Sequence, residues 1–186
     1  MDTLKIIKKY YKENSDLYNL LILHSQAVTK KALEIAKNVP KLKPDLKYIK
    51  EAAMLHDIGI FLTNAPELDC FGEKSYICHG YLGREVLEKE GLLRHALVCE
   101  RHTGIGISVD DIKKEKLPLP LRDMLPVSVE EKIICLADKF FSKNKTGLVK
   151  EKSLDEIRSS HQKFGEEKVA AFNKLLREFE IKEDIL

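Results

Sequence analysis

A histidine and an aspartate side by side, at the end of an apolar helical run, constrain this chain more than any other feature. The run is Met54-Leu55-His56-Asp57-Ile58-Gly59. Upstream, Ala53, Ala52 and Ile49 fall three, four and seven residues before His56 and share one helical face with it. Gly59 is expected to close that helix with a positive φ, which only glycine adopts cheaply. A His and an Asp aimed at a core must be paired or must bind something, because an unpaired buried charge is costly.

Length and composition bound the alternatives. The 186 residues suffice for one domain with a substantial core, expected to span 1–186. Charged residues are 33% and apolar residues 44%, an ordinary globular balance. A net charge of +2 without a long basic block argues against a dedicated nucleic-acid surface. No apolar run approaches the roughly 18–20 residues of a membrane span. The basic, amphipathic stretch from Met1 to Tyr11 lacks the apolar core and cleavage site of a signal peptide. Cys70, Cys78, Cys99 and Cys135 contain no Cys-x-x-Cys pair and read as free thiols in a reducing cytoplasm.

Taken in order, the pattern is all-α. Leu4, Ile6, Ile7, Tyr10 and Tyr11 make a short amphipathic helix over 3–12. Asn14 or Ser15 caps a second, running to about Asn38, whose stripe Leu17, Leu20, Leu21, Val28, Ala32, Ile35 and Val39 also carries His24. Asp45 opens the helix that ends at His56-Asp57, and residues 60–75 form a loop. Ser75 begins a helix to Glu90 with His79 on its inner face, and a further helix at about 92–102 carries His95 and His102, closed by Thr103-Gly104-Ile105-Gly106. Ser108 caps a short turn, and the prolines of 117–126 exclude a helix interior. A capping box at Ser128…Glu131 starts a helix that runs through Asp138 to about Lys143, and Ser153…Glu156 is a second capping box. A basic connector follows at 144–152, and a last amphipathic helix occupies about 166–180. No segment alternates as a strand should.

Six residues then stand out on these apolar faces: His24, His56, Asp57, His79, His102 and Asp138. Singly, each has an ordinary structural explanation as a hydrogen-bonded core residue or a cap. Jointly, imidazoles and carboxylates converging from separate helices offset one another's burial cost only around cations, and they are the ligands that suit divalent metals.

His24, the doublet His56-Asp57 and Asp138 reproduce the H…HD…D signature of the HD-domain metal-dependent phosphohydrolases, and His56-Asp57-Ile58-Gly59 matches the HDIG form of the doublet. The chain thus resembles that superfamily over about residues 16–145, and more particularly small bacterial HDIG-domain hydrolases, with 150–186 as a C-terminal helical extension. The resemblance implies a helical bundle with the metal site in its core. It implies that His24, His56, Asp57 and Asp138 hold one metal. In two-metal members Asp57 bridges, and His79 and His102 match the positions that hold the second ion. Two ions per chain are expected, iron or manganese first, with zinc, nickel, cobalt and magnesium as other candidates.

The activity implied is hydrolysis of a phosphoester or phosphoanhydride of a nucleotide or other small phosphorylated metabolite, with Asp57, His79 and His102 as catalytic residues. His79 or His102, where not a ligand, would donate a proton to the leaving oxygen. Lys74, Arg101, Arg122 and Lys139 are the cationic candidates for gripping phosphate. Two rivals use the same residues: an HD-fold diiron oxygenase, and a non-catalytic nucleotide sensor. His95 is expected to be structural and His161 solvent-exposed. A homo-oligomer is left open.

Overall fold

The computed structural model describes residues 1–143 and 150–181. Its helices are α1 (Thr3–Tyr10), α2 (Asp16–Asn38), α3 (Leu46–Leu55), α4 (His79–Lys89), α5 (Leu93–Arg101), α6 (Val109–Lys114), α7 (Val129–Lys139), α8 (Leu154–Gln162) and α9 (Glu166–Glu178). The helix starts follow from side-chain caps. Ser15, Asp45 and Ser108 accept from the backbone N–H of Tyr18, Tyr48 and Asp111, satisfying donors that a first turn otherwise leaves free. Ser153 and Glu156 form the full reciprocal box expected of them. At Ser128 only half the expected box forms. The hydroxyl takes the Glu131 N–H, but the Glu131 carboxylate accepts from Val127 N–H and from Arg101 instead.

The helices bury one another's apolar stripes. α2 packs on α3 and α7, and α4 lies along α5. One core cluster joins Val28, Ala32 and Ile35 of α2 to Ile49 and Ala52 of α3 and to Ile133, Ile134 and Leu136 of α7. Phe172, Leu175, Leu176 and Phe179, from α9 and its end, belong to that same cluster. A second cluster joins α1 to Leu20, Leu21, Leu55, Ile58, Leu87 and Cys99. The four cysteines are all free and buried.

Several sequence expectations need correction. The loop after α3 contains a three-stranded sheet: β1 (Thr63–Ala65) runs antiparallel to β2 (Cys70–Phe71) and parallel to β3 (Lys74–Ser75). Strands of two or three residues are too short to display an alternating pattern. The helix expected from Ser75 starts as a 3-10 turn, Tyr76–Cys78, and becomes α-helical only at His79. α7 stops at Lys139, not Lys143. The connector expected at 144–152 lies outside the described residues apart from its last three, as does 182–186 of the C-terminal extension.

Gly59 has φ −83, so the left-handed turn expected there does not form. The glycine is needed for a different reason. A Cβ at this position would lie 2.3 Å from the His79 carbonyl oxygen and 2.4 Å from Gly83 N, so only a bare Cα lets the end of α3 touch α4. Positive φ appears instead at Gly104 and Gly106, in the turn that follows His102.

Candidate metal centre

The side chains expected to converge do so. His24 comes from the middle of α2, His56 is the C-cap of α3 and Asp57 follows it, His79 opens α4, His102 is the C-cap of α5, and Asp138 lies in the last turn of α7. All six are buried. They form two groups that could hold a metal ion: His24, His56, Asp57 and Asp138, and then Asp57, His79 and His102. The ligand atoms within each group lie within 4.8 Å of one another, and Asp57 belongs to both.

Asp57 spans the two groups with its two oxygens. Oδ2 faces His24 Nε2 at 3.2 Å and His56 Nε2 at 3.1 Å. Oδ1 faces the Nε2 atoms of His79 and His102, each at 3.4 Å. Asp138 Oδ1 closes the first group, 3.0 Å from His24 Nε2 and 3.4 Å from His56 Nε2.

Three of the imidazoles are oriented by one backbone device. The Nδ1–H groups of His56, His79 and His102 donate to the carbonyls of Ala53, Tyr76 and Cys99, each three residues earlier and each at 2.7 Å. With Nδ1 so engaged, a neutral ring presents the Nε2 lone pair to the site, as second-shell contacts commonly arrange for metal-bound His. His79 and His102 therefore face each other Nε2 to Nε2 at 3.1 Å. Two lone pairs at that distance repel unless a cation or a proton lies between them. His56 Nε2 and both Asp57 oxygens also find no hydrogen bond of good geometry among the described residues, although the Lys143 ammonium lies 2.7 Å from Asp57 Oδ2. Orphaned, buried, convergent donor atoms of this kind fit a divalent cation.

The electrostatics differ from ring to ring: His79 and His102 are held neutral, while His56 holds a proton that a metal would displace. Burial pushes the His79 imidazole down to about 3, against the pull of Asp57, and burial likewise lowers His102, so both rings are neutral near pH 7. For His56 burial acts downward, but Asp57 and Asp138 outweigh it and hold the ring up at about 9. Burial would raise the Asp57 carboxyl; the charges on His56 and Lys143 overcome it and keep that carboxyl well below the usual range. Lys139 and Lys143 do the same for Asp138.

The cationic candidates divide. Lys139 is at the centre: its Nζ lies 2.8 Å from Asp138 Oδ2 and donates to the His102 carbonyl at 3.1 Å. Arg101 is engaged with Glu131 at 2.9 Å, and Arg122 donates from Nε to Glu100 at 2.8 Å. Lys74 is exposed on β3. His95 pairs with Glu51 across 3.6 Å and packs edge-on to Tyr48. His161, expected at the surface, is instead buried: it bonds the Ile157 carbonyl at 2.8 Å and stacks on Phe172.

Two neighbours of the centre escaped the sequence reading. Lys143 Nζ is 2.7 Å from Asp57 Oδ2. Continued as helix, Lys143 would point about 140° around the axis from Asp138, and only the end of α7 at Lys139 brings it back to the site. Tyr76 stacks on the His79 ring at 4.8 Å, and burial pushes its phenol up to about 12. Its position three residues before His79, on the turn that supplies the Nδ1 acceptor, was the available signal.

Comparison with known proteins agrees with this geometry. Residues 21–143 match the family model described as HD domain, and the chain belongs to that family. It is 36% identical over 131 residues to a tRNA (cytidine(56)-2'-O)-methyltransferase of Picrophilus torridus, a match covering 70% of this chain and 33% of that protein. It is 33% identical over 138 residues to an uncharacterized protein of Methanocaldococcus jannaschii, covering 73% of this chain and 70% of the relative. A tRNA (cytidine(56)-2'-O)-methyltransferase of Thermoplasma volcanium is 30% identical over 157 residues, 84% of this chain and 41% of that one. The chain thus spans only a third to two fifths of the methyltransferases it matches. No solved structure matches it.

Proposed function

We propose that this protein is a metal-dependent phosphohydrolase that cleaves a phosphoester or phosphoanhydride of a nucleotide or another small phosphorylated metabolite. The observation that carries the reading is the charge balance of the centre. Asp57 and Asp138 are each already met by an ammonium group, from Lys143 and Lys139. A divalent cation taken up at His56 releases that ring's proton, and with two ammonium groups against two carboxylates it leaves a buried excess of positive charge, which an anionic phosphoryl group neutralises and dioxygen does not. The oxygenase alternative is disfavoured on that ground.

His24, His56, Asp57 and Asp138 would hold one ion and Asp57, His79 and His102 a second. Divalent metal there supplies an acidified water as nucleophile and offsets charge growing on the phosphoryl oxygens. The depressed His79 and His102 favour the ligand role over proton donation. Lys139, held by Asp138 and the His102 carbonyl, adds a fixed positive charge beside the reacting group. The domain assignment belongs to the same proposal: one unit over 1–186, a core at about 16–145 and an extension at about 150–186 that adds stability, in a cytoplasmic protein. No helix among the described residues is long and apolar enough to cross a membrane.

A second reading concerns the substrate alone. Two relatives are named for a reaction at a tRNA ribose oxygen, which supports a phosphoester carried on RNA. The deciding experiment is metal analysis of anaerobically purified protein together with a panel of nucleotides, sugar phosphates and RNA carrying terminal 2′-, 3′- or cyclic phosphates. Metal-dependent phosphate release is expected. Oxygen-dependent turnover with a mixed-valent iron signal, and no phosphate release, would replace the hydrolase by the oxygenase. Nucleotide affinity without turnover under any metal would leave the sensor.

A further inference from the structure

Lys143 and Lys139 are attached to the centre in different ways. Lys139 is pinned on two sides, by Asp138 Oδ2 and by the His102 carbonyl. Lys143 lies beyond the end of α7 on non-helical backbone, and its ammonium sits 2.7 Å from Asp57 Oδ2, with the Tyr76 ring 6.0 Å away. Asp57 Oδ2 is the oxygen that His24 and His56 also face, and so the atom by which Asp57 joins the first metal-capable group. An ammonium and a divalent cation cannot share that oxygen, since like charges a few ångströms apart in a buried site repel strongly. A four-carbon stem on non-helical backbone lets the Lys143 ammonium move aside, whereas the Lys139 ammonium is fixed at two points.

We propose that Lys143 has two stations, and that metal binding moves it from one to the other. A cation arriving at Asp57 Oδ2 displaces the ammonium, and the displaced ammonium takes an oxygen of the substrate phosphoryl group. One side chain thereby couples metal loading to phosphate recognition: it opposes the first and serves the second. The second station rests on the phosphohydrolase reading; the competition at Asp57 does not.

The test compares the full chain, stripped with chelator, as wild type, Lys143→Met and Lys143→Arg. Mn²⁺ titration by calorimetry is expected to show about tenfold tighter binding in Lys143→Met and wild-type affinity in Lys143→Arg. Inorganic phosphate should bind the Mn²⁺-loaded Lys143→Met protein about tenfold more weakly than the loaded wild type, with Lys143→Arg retaining most of the affinity. Lys143→Gln repeats both titrations if the Met variant does not fold. Equal or weaker Mn²⁺ binding in the neutral variant, at an unchanged melting temperature, overturns the competition. Undiminished phosphate binding in that variant overturns the second station. Loaded wild type that binds no phosphate at all removes the hydrolase reading and the second station together, while the Mn²⁺ comparison still decides the first.

Discussion

Three imidazoles of the centre hang from carbonyls three residues earlier in the chain, so each ring is held by its own helix end. Removing one ring should therefore empty a coordination position without unravelling the helix behind it. His56→Ala and Asp57→Ala are expected to lose bound metal and activity while keeping the circular dichroism of the parent. Asp57 belongs to both groups, so its loss should strip both ions, whereas His79→Ala or His102→Ala should lose one and keep the other. Inductively coupled plasma analysis of the purified variants reads this directly, and full metal occupancy in Asp57→Ala would end the assignment. Gly59 acts on the same atoms from the other side. A methyl group there meets the His79 carbonyl and Gly83 N at contacts no Cβ tolerates. Gly59→Ala must push α4 off α3, at a cost of roughly 1–3 kcal/mol and with His79 carried away from Asp57. A lowered melting temperature together with loss of one metal is the expected outcome.

Between elements, two ion pairs share one buried carboxylate. The Glu100 side chain of α5 is 1% exposed and accepts from Arg84 of α4 and from Arg122 of the proline-rich loop. Losing one arginine leaves the other in place. Losing both strands a buried carboxylate, so Arg84→Ala with Arg122→Ala should cost about 3 kcal/mol or more in urea unfolding and exceed the sum of the single changes. These ties were not legible in the sequence, because Arg84, Glu100 and Arg122 share no periodicity and pair only once the fold exists. The ligand set was legible, because four histidines and two aspartates fall on apolar faces whose helices can be read from stripes and caps. Where the reading slipped, a tertiary contact had replaced a local preference. Gly59 serves close packing, not a turn; the Glu131 carboxylate answers Arg101, not the Ser128 N–H; His161 packs inward on Phe172. The last has a pH signature. Burial lowers the His161 pKa below its ordinary 6.5, so below that pH the unfolded chain binds a proton that the fold resists. Stability should fall as pH drops below about 6.5 and be unaffected above it. Thermal melts of wild type and His161→Phe between pH 7.5 and 5 should show the wild type losing more.

At the scale of the whole molecule, the C-terminal helices close the core, and none of their described residues belongs to either metal-capable group. Phe172 and Phe179 are fully buried, and Leu175 and Leu176 complete a face that meets α2, α3 and α7 in one cluster, while Val169 stays half-buried at its edge. Lys168 extends the grip, donating to the Gly106 carbonyl at 3.1 Å and pairing with Asp111 at 2.6 Å, in the segment that follows His102. Among the described residues, neither metal-capable group takes a member from α8 or α9. The helix therefore contributes burial worth roughly 1.5–3 kcal/mol for each large apolar side chain, and a brace for the loop behind the centre. Leu176→Asp sets a carboxylate into that cluster with no partner to receive it, adding desolvation to lost packing. It should lower the melting temperature by many degrees, or shift the oligomer distribution if the exposed face finds a second copy. The surviving folded fraction should carry the same metal per chain as the wild type, since no ligand has moved. Metal lost at an unchanged melting temperature and an unchanged elution volume would mean that the tail belongs to the active site.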